Sequence, residues 1–120
     1  MRILVVDDHQ VVRRGVCSLL EKEKDIEICG EAVDGSDAIA KAQKLKPDAI
    51  VMDISMPKMN GLDATREITR LLPQTRVLIL SQHDTPEMMR QALMAGAHGY
   101  VVKSSVSTEL VNALSKLSSR

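Results

Sequence analysis

Aromatic side chains are almost missing: the 120 residues include one tyrosine, Tyr100, and neither tryptophan nor phenylalanine. That excludes a stacking platform for single-stranded nucleic acid and a flavin held between rings. Cysteine is scarce as well. Cys17 and Cys29 lie too far apart for a redox C-x-x-C and match no zinc pairing, so two reduced thiols and a cytoplasmic location are expected. An excess of one charge is also lacking. Sixteen Lys+Arg balance sixteen Asp+Glu, which removes the bulk positive field that non-specific DNA or anionic-membrane binding needs. Any DNA contact would have to come from a segment outside this chain. Finally, no long apolar run exists. Ile3 to Val6 is cut off by Asp7 and Asp8, well short of a signal-peptide core or a membrane span.

What is present is a regular alternation. Ile3–Val6, Ala49–Met52, Val77–Leu80 and Tyr100–Val102 are short, continuous apolar runs, as expected of parallel strands buried on both faces, and Ile26–Cys29 is a more polar edge candidate. Helical stripes lie between them: Val12, Val16, Leu19 and Leu20; Ala38, Ile39, Ala42 and Leu45; Ala64, Ile68 and Leu71; Met88, Ala92 and Ala95; Leu110, Leu114 and Leu117. The other methionines, Met94 included, read as gap-filling core. Asp34-Gly35, Lys46-Pro47, Thr85-Pro86 and Ala95-Gly96 punctuate the helices. Five βα units in strict alternation predict a doubly wound α/β fold, (βα)5, with a five-stranded parallel sheet and helices on both faces. One domain, residues 1–120, is the expected organisation.

In such sheets ligands bind beyond the carboxyl ends of the strands. The residues there are Asp7 and Asp8, Asp53, Ser81 and Lys103. Three clustered carboxylates repel one another unless a proton or a cation intervenes. With oxygen ligands and no Cys or His read as belonging to the site, Mg²⁺ fits best, held by carboxylates and a phosphate oxygen. Lys103 offers a point charge to that phosphate and Ser81 a hydrogen bond, while a carboxylate facing metal and lysine can act as a nucleophile and form an acyl phosphate. His9, His83 and His98 are assigned to solvated or capping roles. Arg13 and Arg14 are expected on an exposed helix face, where a kinase could meet them.

The segments Leu4-Val5-Val6-Asp7-Asp8, Val51-Met52-Asp53-Ile54-Ser55-Met56-Pro57 with Asn60-Gly61, Leu80-Ser81, and Ala95-Gly96-Ala97-His98-Gly99-Tyr100 leading to Lys103 resemble bacterial response-regulator receiver domains along the whole chain. The resemblance implies the flavodoxin-like strand order 2-1-3-4-5 and a phosphorelay switch that catalyses only its own phosphorylation and dephosphorylation. Asp53 is then the phosphoacceptor for a sensor histidine kinase, assisted by Lys103 and Ser81. The resemblance also implies Asp8 as a direct Mg²⁺ ligand and Asp7 as a water-mediated one, with Asp53 and the backbone carbonyl of Ser55 completing the set. Ser81 and Tyr100 match the family's switch pair, and Ser55 and His83 its positions that tune phosphoryl lifetime. Asp-His-Gln at the first helix and Ser-Gln-His-Asp after the fourth strand are most similar to the NarL/FixJ subfamily, which implies transcription control through a C-terminal helix-turn-helix domain absent from this chain, and a possible homodimer on phosphorylation.

Two departures stand out. Ser104 follows Lys103 where the family has a proline joined by a cis bond; a cis bond before a non-proline costs about 2.5–4 kcal/mol, so a trans bond is expected. Gln82 replaces a small residue beside the switch hydroxyl and narrows access to the phosphate. The competing readings are an aspartyl-nucleophile phosphatase, a flavin or nucleotide carrier, and a degenerate receiver serving only as a docking module. Ser55 stands where the phosphatase needs its general acid, and no Gly-rich phosphate loop follows Val6.

Overall fold

The computed structural model describes residues 1–56 and 59–118. Pro57, part of the motif after Asp53, lies outside the described residues. The elements run β1 (Arg2–Val6), α1 (Gln10–Glu21), β2 (Glu27–Ala32), α2 (Gly35–Leu45), β3 (Ala49–Asp53), α3 (Gly61–Leu71), β4 (Arg76–Ser81), α4 (Pro86–Met94), β5 (Gly99–Val102), a short 3₁₀ turn (Lys103–Ser105) and α5 (Val106–Ser118). The sheet is parallel with order β2-β1-β3-β4-β5, as expected.

Because side chains alternate across a strand, each continuous apolar run supplies two cores. Leu4, Val6, Ile50, Met52, Val77 and Ile79 point to the face covered by α2, α3 and α4, where Ala38, Ala42, Ala64, Ile68 and Ala92 meet them. Ile3, Val5, Val51, Leu78, Leu80 and Val101 point to the other face and pack on Val16, Cys17 and Leu20 of α1 and Leu110, Leu114 and Leu117 of α5. Burying one such Leu or Ile contributes about 1.5–3 kcal/mol. The predicted punctuation is used: Asp34 and Thr85 accept from the backbone N–H groups of Asp37 and Met88, and Lys46 closes α2 in the left-handed region at φ 48°; Asn60, not predicted as a cap, accepts likewise from Asp63.

Four expectations need correction. The edge strand is Glu27–Ala32, not Ile26–Cys29. It continues through the polar Gly30-Glu31 because Glu31 pairs with arginines on α1, and a register shift between Ile3 and Leu4 skips Cys29. Val12 is exposed, turned off the buried stripe of α1. Met94 is 73% exposed at the end of α4 and fills no gap. Arg13 is no solvated residue; its side chain is only 13% exposed and ion-paired to Glu31. Both thiols are free, and burial pushes Cys17 up to about 11 and Cys29 upward.

Candidate functional site

Strand ends place the site. Asp53 is the last residue of β3 and Ser81 the last of β4, Asp7 follows β1, and Lys103 opens the turn after β5. Asp7, Asp53 and Ser81 are 1%, 2% and 1% exposed. Lys103 Nζ lies 3.0 Å from Asp53 Oδ1 and 3.4 Å from Asp7 Oδ2, so one ammonium bridges two buried carboxylates. The Lys103–Ser104 bond is trans, as expected.

The loop after β1 is built to hold its two acids. Asp7 Oδ1 accepts the His9 N–H at 2.9 Å, a local turn that Asp makes readily. The Arg13 guanidinium donates to the Asp7 carbonyl at 2.9 Å and, through Nε, to Glu31 Oε1 at 2.8 Å. Arg14 donates to the other Glu31 oxygen at 2.5 Å. Helix α1 and the edge strand thus grip the main chain of the acidic loop. The N-cap of α1 is His9, and no side chain caps it. Asp8 is left facing the cleft.

The loop after β3 is fixed from the other side. The Gly61 N–H donates to the Ile54 carbonyl at 2.8 Å, and a β-carbon on Gly61 would stand 2.1 Å from the Asp53 carbonyl oxygen. Only a glycine lets the start of α3 approach the strand end so closely. Ser55 is exposed within this loop.

Charge in the cleft is unbalanced. Burial pushes the Asp53 carboxyl above its ordinary range; Lys103 opposes that, while Asp7 and Asp8 add to it. Burial alone would lower the Lys103 ammonium, but Asp53 and Asp7 outweigh it and carry the value upward. Burial leads the rise of Asp53, and the carboxylates around the ammonium drive that of Lys103. Asp7 Oδ2, Asp8 Oδ1 and Asp53 Oδ2 are buried oxygens with no hydrogen-bond partner. Orphaned carboxylate oxygens sharing one cleft suit a hard divalent cation, so the residues present fit Mg²⁺.

One expectation fails here. The site is not free of histidine: an oxygen each from Asp7 and Asp8 and a ring nitrogen of His9 all lie within 4.8 Å of one another. His9 Nδ1 stands 3.2 Å from Asp8 Oδ1 and 3.6 Å from Asp7 Oδ1. Sequence reasoning gave His9 only a solvated or capping role, although Asp-Asp-His is contiguous. His98 departs from a merely solvated role too, since its Nδ1 accepts the Val77 N–H at 3.0 Å.

Ser81 and Tyr100 both bond to the main chain of His83. Ser81 Oγ accepts the His83 N–H at 3.0 Å, and Tyr100 Oη donates to the His83 carbonyl at 2.8 Å. The Tyr100 ring packs, partly buried, against the core under α4. Gln82 and His83 are exposed at the rim of the cleft.

A five-stranded 2-1-3-4-5 sheet with an acidic cleft and a lysine at its strand ends defines the class, and the chain belongs to the response regulator receiver domain family, whose model matches residues 3–115. Within that family it is of the NarL/FixJ type. It is 42% identical over 118 residues to the response regulator protein VraR of Staphylococcus aureus, covering 98% of this chain and 56% of VraR. The chain therefore spans about half the length of the curated relatives it matches. The signal receiver domain of the putative response regulator NarL from Mycobacterium tuberculosis is similar at 38% identity and a TM-score of 0.91, over 99% of this chain and 97% of that one. The isolated receiver domain of RcsB from Salmonella enterica serovar Typhimurium, solved in the presence of the phosphomimetic BeF3⁻, is 27% identical with a TM-score of 0.91, over 99% of this chain and 88% of that one.

Proposed function

We propose that this domain takes a phosphoryl group from a sensor histidine kinase onto Asp53 and, in the full-length protein, relays the change to a C-terminal helix-turn-helix domain that controls transcription. The observation that carries the reading is the Asp53 carboxylate: buried, bridged to Asp7 by Lys103, with one oxygen left unpartnered. An Asp53 oxygen attacks phosphorus, the phosphorus–nitrogen bond of the phosphohistidine breaks, and an acyl phosphate forms. Asp8, Asp7, Asp53 and the Ser55 carbonyl would hold Mg²⁺, which when bound offsets the charge of the transferring group. Lys103 neutralises a phosphoryl oxygen in place of the carboxylate oxygen it now contacts.

Phosphorylation adds about −1.5 to −2 charges, by analogy with other phosphorylated side chains. Ser81 is positioned to answer that charge by exchanging its bond to His83 for one to the phosphoryl group. Tyr100 is bonded to the same peptide and so follows the movement on the α4–β5–α5 face. Ser55 and His83, at the rim, tune the lifetime of the acyl phosphate. Phosphorylation-dependent homodimerisation and a cytoplasmic location belong to the same reading; among the described residues no helix is long and apolar enough to cross a membrane.

Intact mass spectrometry with acetyl phosphate, with and without Mg²⁺, on wild type and Asp53→Ala tests it. A Mg²⁺-dependent phosphoryl adduct on wild type that Asp53→Ala abolishes is expected. An adduct that persists in the variant moves the acceptor elsewhere, and no adduct on wild type leaves a docking module.

A further inference from the structure

We infer that Arg13 is a positioning residue for the phosphorylation site: its guanidinium fixes the Asp7–Asp8 peptide and thereby sets how tightly the two acids take up a divalent cation. The inference rests on the function proposed above and names a residue outside the cleft that aims its acidic loop. Asp7 Oδ2, Asp8 Oδ1 and Asp53 Oδ2 share that cleft, buried and without a hydrogen-bond partner. Mutual repulsion drives such groups apart until a cation arrives, so the loop needs a restraint of its own. The Asp7 side chain is held by the His9 N–H and Lys103. The main chain requires a separate hold, because the peptide joining Asp7 to Asp8 is a rigid plane and turning it would swing both side chains at once.

Arg13 supplies that hold. Its side chain is 13% exposed, with Nη1 donating to the Asp7 carbonyl at 2.9 Å and Nε to Glu31 Oε1 at 2.8 Å. The Asp7 N–H donates to the Ala32 carbonyl at 3.1 Å. Strand β2 therefore reaches the peptides on both sides of Asp7, once directly and once through Glu31 and Arg13. Glu31 is anchored in turn: Lys41 Nζ donates to its carbonyl and Arg14 Nη1 to its second carboxylate oxygen, each at 2.5 Å. Because Glu31 neutralises the guanidinium, Arg13 acts on the loop by direction rather than by net charge. A planar fork serves two acceptors in fixed directions, which a lysine ammonium on a flexible stem does not. Arg14 is the natural control, since it shares Glu31 but is 52% exposed and bonds to the carboxylate instead of the loop.

The test compares wild type, Arg13→Met, Arg13→Lys and Arg14→Met, each shown to be folded by thermal melts. Calorimetry gives Mg²⁺ affinity, NMR hydrogen exchange of the His9 amide reports the loop without metal, and acetyl phosphate labelling across Mg²⁺ concentrations gives the half-saturating Mg²⁺ and the maximal rate. Arg13→Met should weaken Mg²⁺ binding and raise the half-saturating concentration by about tenfold, as removal of a residue supporting metal ligands does. His9 exchange should quicken, while the rate at saturating Mg²⁺ stays near that of wild type. Arg14→Met should follow wild type throughout. Arg13→Lys should behave as Arg13→Met does, and it carries the test should the methionine variant fail to fold. Wild-type Mg²⁺ affinity in either Arg13 variant overturns the assignment. So does an equal loss in Arg14→Met, which would leave only a structural clamp, or a slower maximal rate at unchanged affinity. Failure of the proposed function reads differently: wild type then binds Mg²⁺ without forming an adduct, and the affinity ratio still decides the role of Arg13. Wild type that binds no Mg²⁺ ends both.

Discussion

Lys103→Met is the sharpest test of the charge arrangement, because it keeps the aliphatic stem and deletes only the ammonium. That ammonium stands 3.0 Å from Asp53 and 3.4 Å from Asp7, both carboxylates with side chains 2% exposed. Removing one partner of a buried pair costs about 3–5 kcal/mol, and partial exposure of the Lys103 end reduces that to roughly 2–3 kcal/mol. For a chain of 120 residues this lowers Tm by about 8–12 °C. The pH dependence follows from the direction of the Asp53 shift. Its folded value already lies above the ordinary 3.8, so the favourable contribution is complete below that value and is lost as pH rises through the folded one. Deleting Lys103 lifts the folded value further. The gap between variant and wild type is therefore widest at neutral pH and narrows on acidification, and Mg²⁺ narrows it as well. Thermal melts at pH 7 and pH 5, with and without Mg²⁺, read this directly. Equal stability at pH 7 without divalent cation, or a gap that acid does not narrow, would refute the reasoning.

Gly61→Ala forces a β-carbon to 2.1 Å from the Asp53 carbonyl oxygen, and overpacking of this kind costs about 1–3 kcal/mol. Gly15→Ala is the matched contrast: nothing lies within 4 Å of its added carbon in α1, so it should gain about 0.5–1 kcal/mol, and melts of the pair should shift in opposite directions. Glu31→Gln removes a carboxylate that burial would raise but that Arg13 and Arg14 hold below 4.5. That contribution is present above the ordinary value and lost as pH falls through the folded one, so the variant should cost about 0.5–1 kcal/mol at pH 7 and lose its effect in acid, as urea titrations across pH would show.

The strand ends were legible because each buried apolar run stops abruptly at a polar residue, so Asp53, Ser81 and Lys103 declared themselves in the sequence. The helix caps were legible for a similar reason, since Asp34-Gly35 and Thr85-Pro86 carry local chemistry that acts within one turn. Long-range pairing was not. Nothing adjacent to Gly30-Glu31 announces that arginines seventeen and eighteen positions earlier will draw it into the sheet. Periodicity misplaced Val12 because a stripe fixes a helical face but not where its partner ends, and Met94 was read as filler from its residue type alone. His9 was hidden by adjacency: the turn that Asp7 makes onto the His9 N–H brings consecutive side chains to one side, which a search by ligand spacing does not anticipate.

The bonds from Ser81 and Tyr100 meet on the peptide groups flanking His83, not on its imidazole. A bond made to main chain survives a change of side chain. In the function proposed above, position 83 can therefore be rewritten to set how long a signal persists while the wiring from cleft to outer face stays intact. Duration and transmission become separately adjustable properties of one short segment, and a lineage can retime its response without redesigning it.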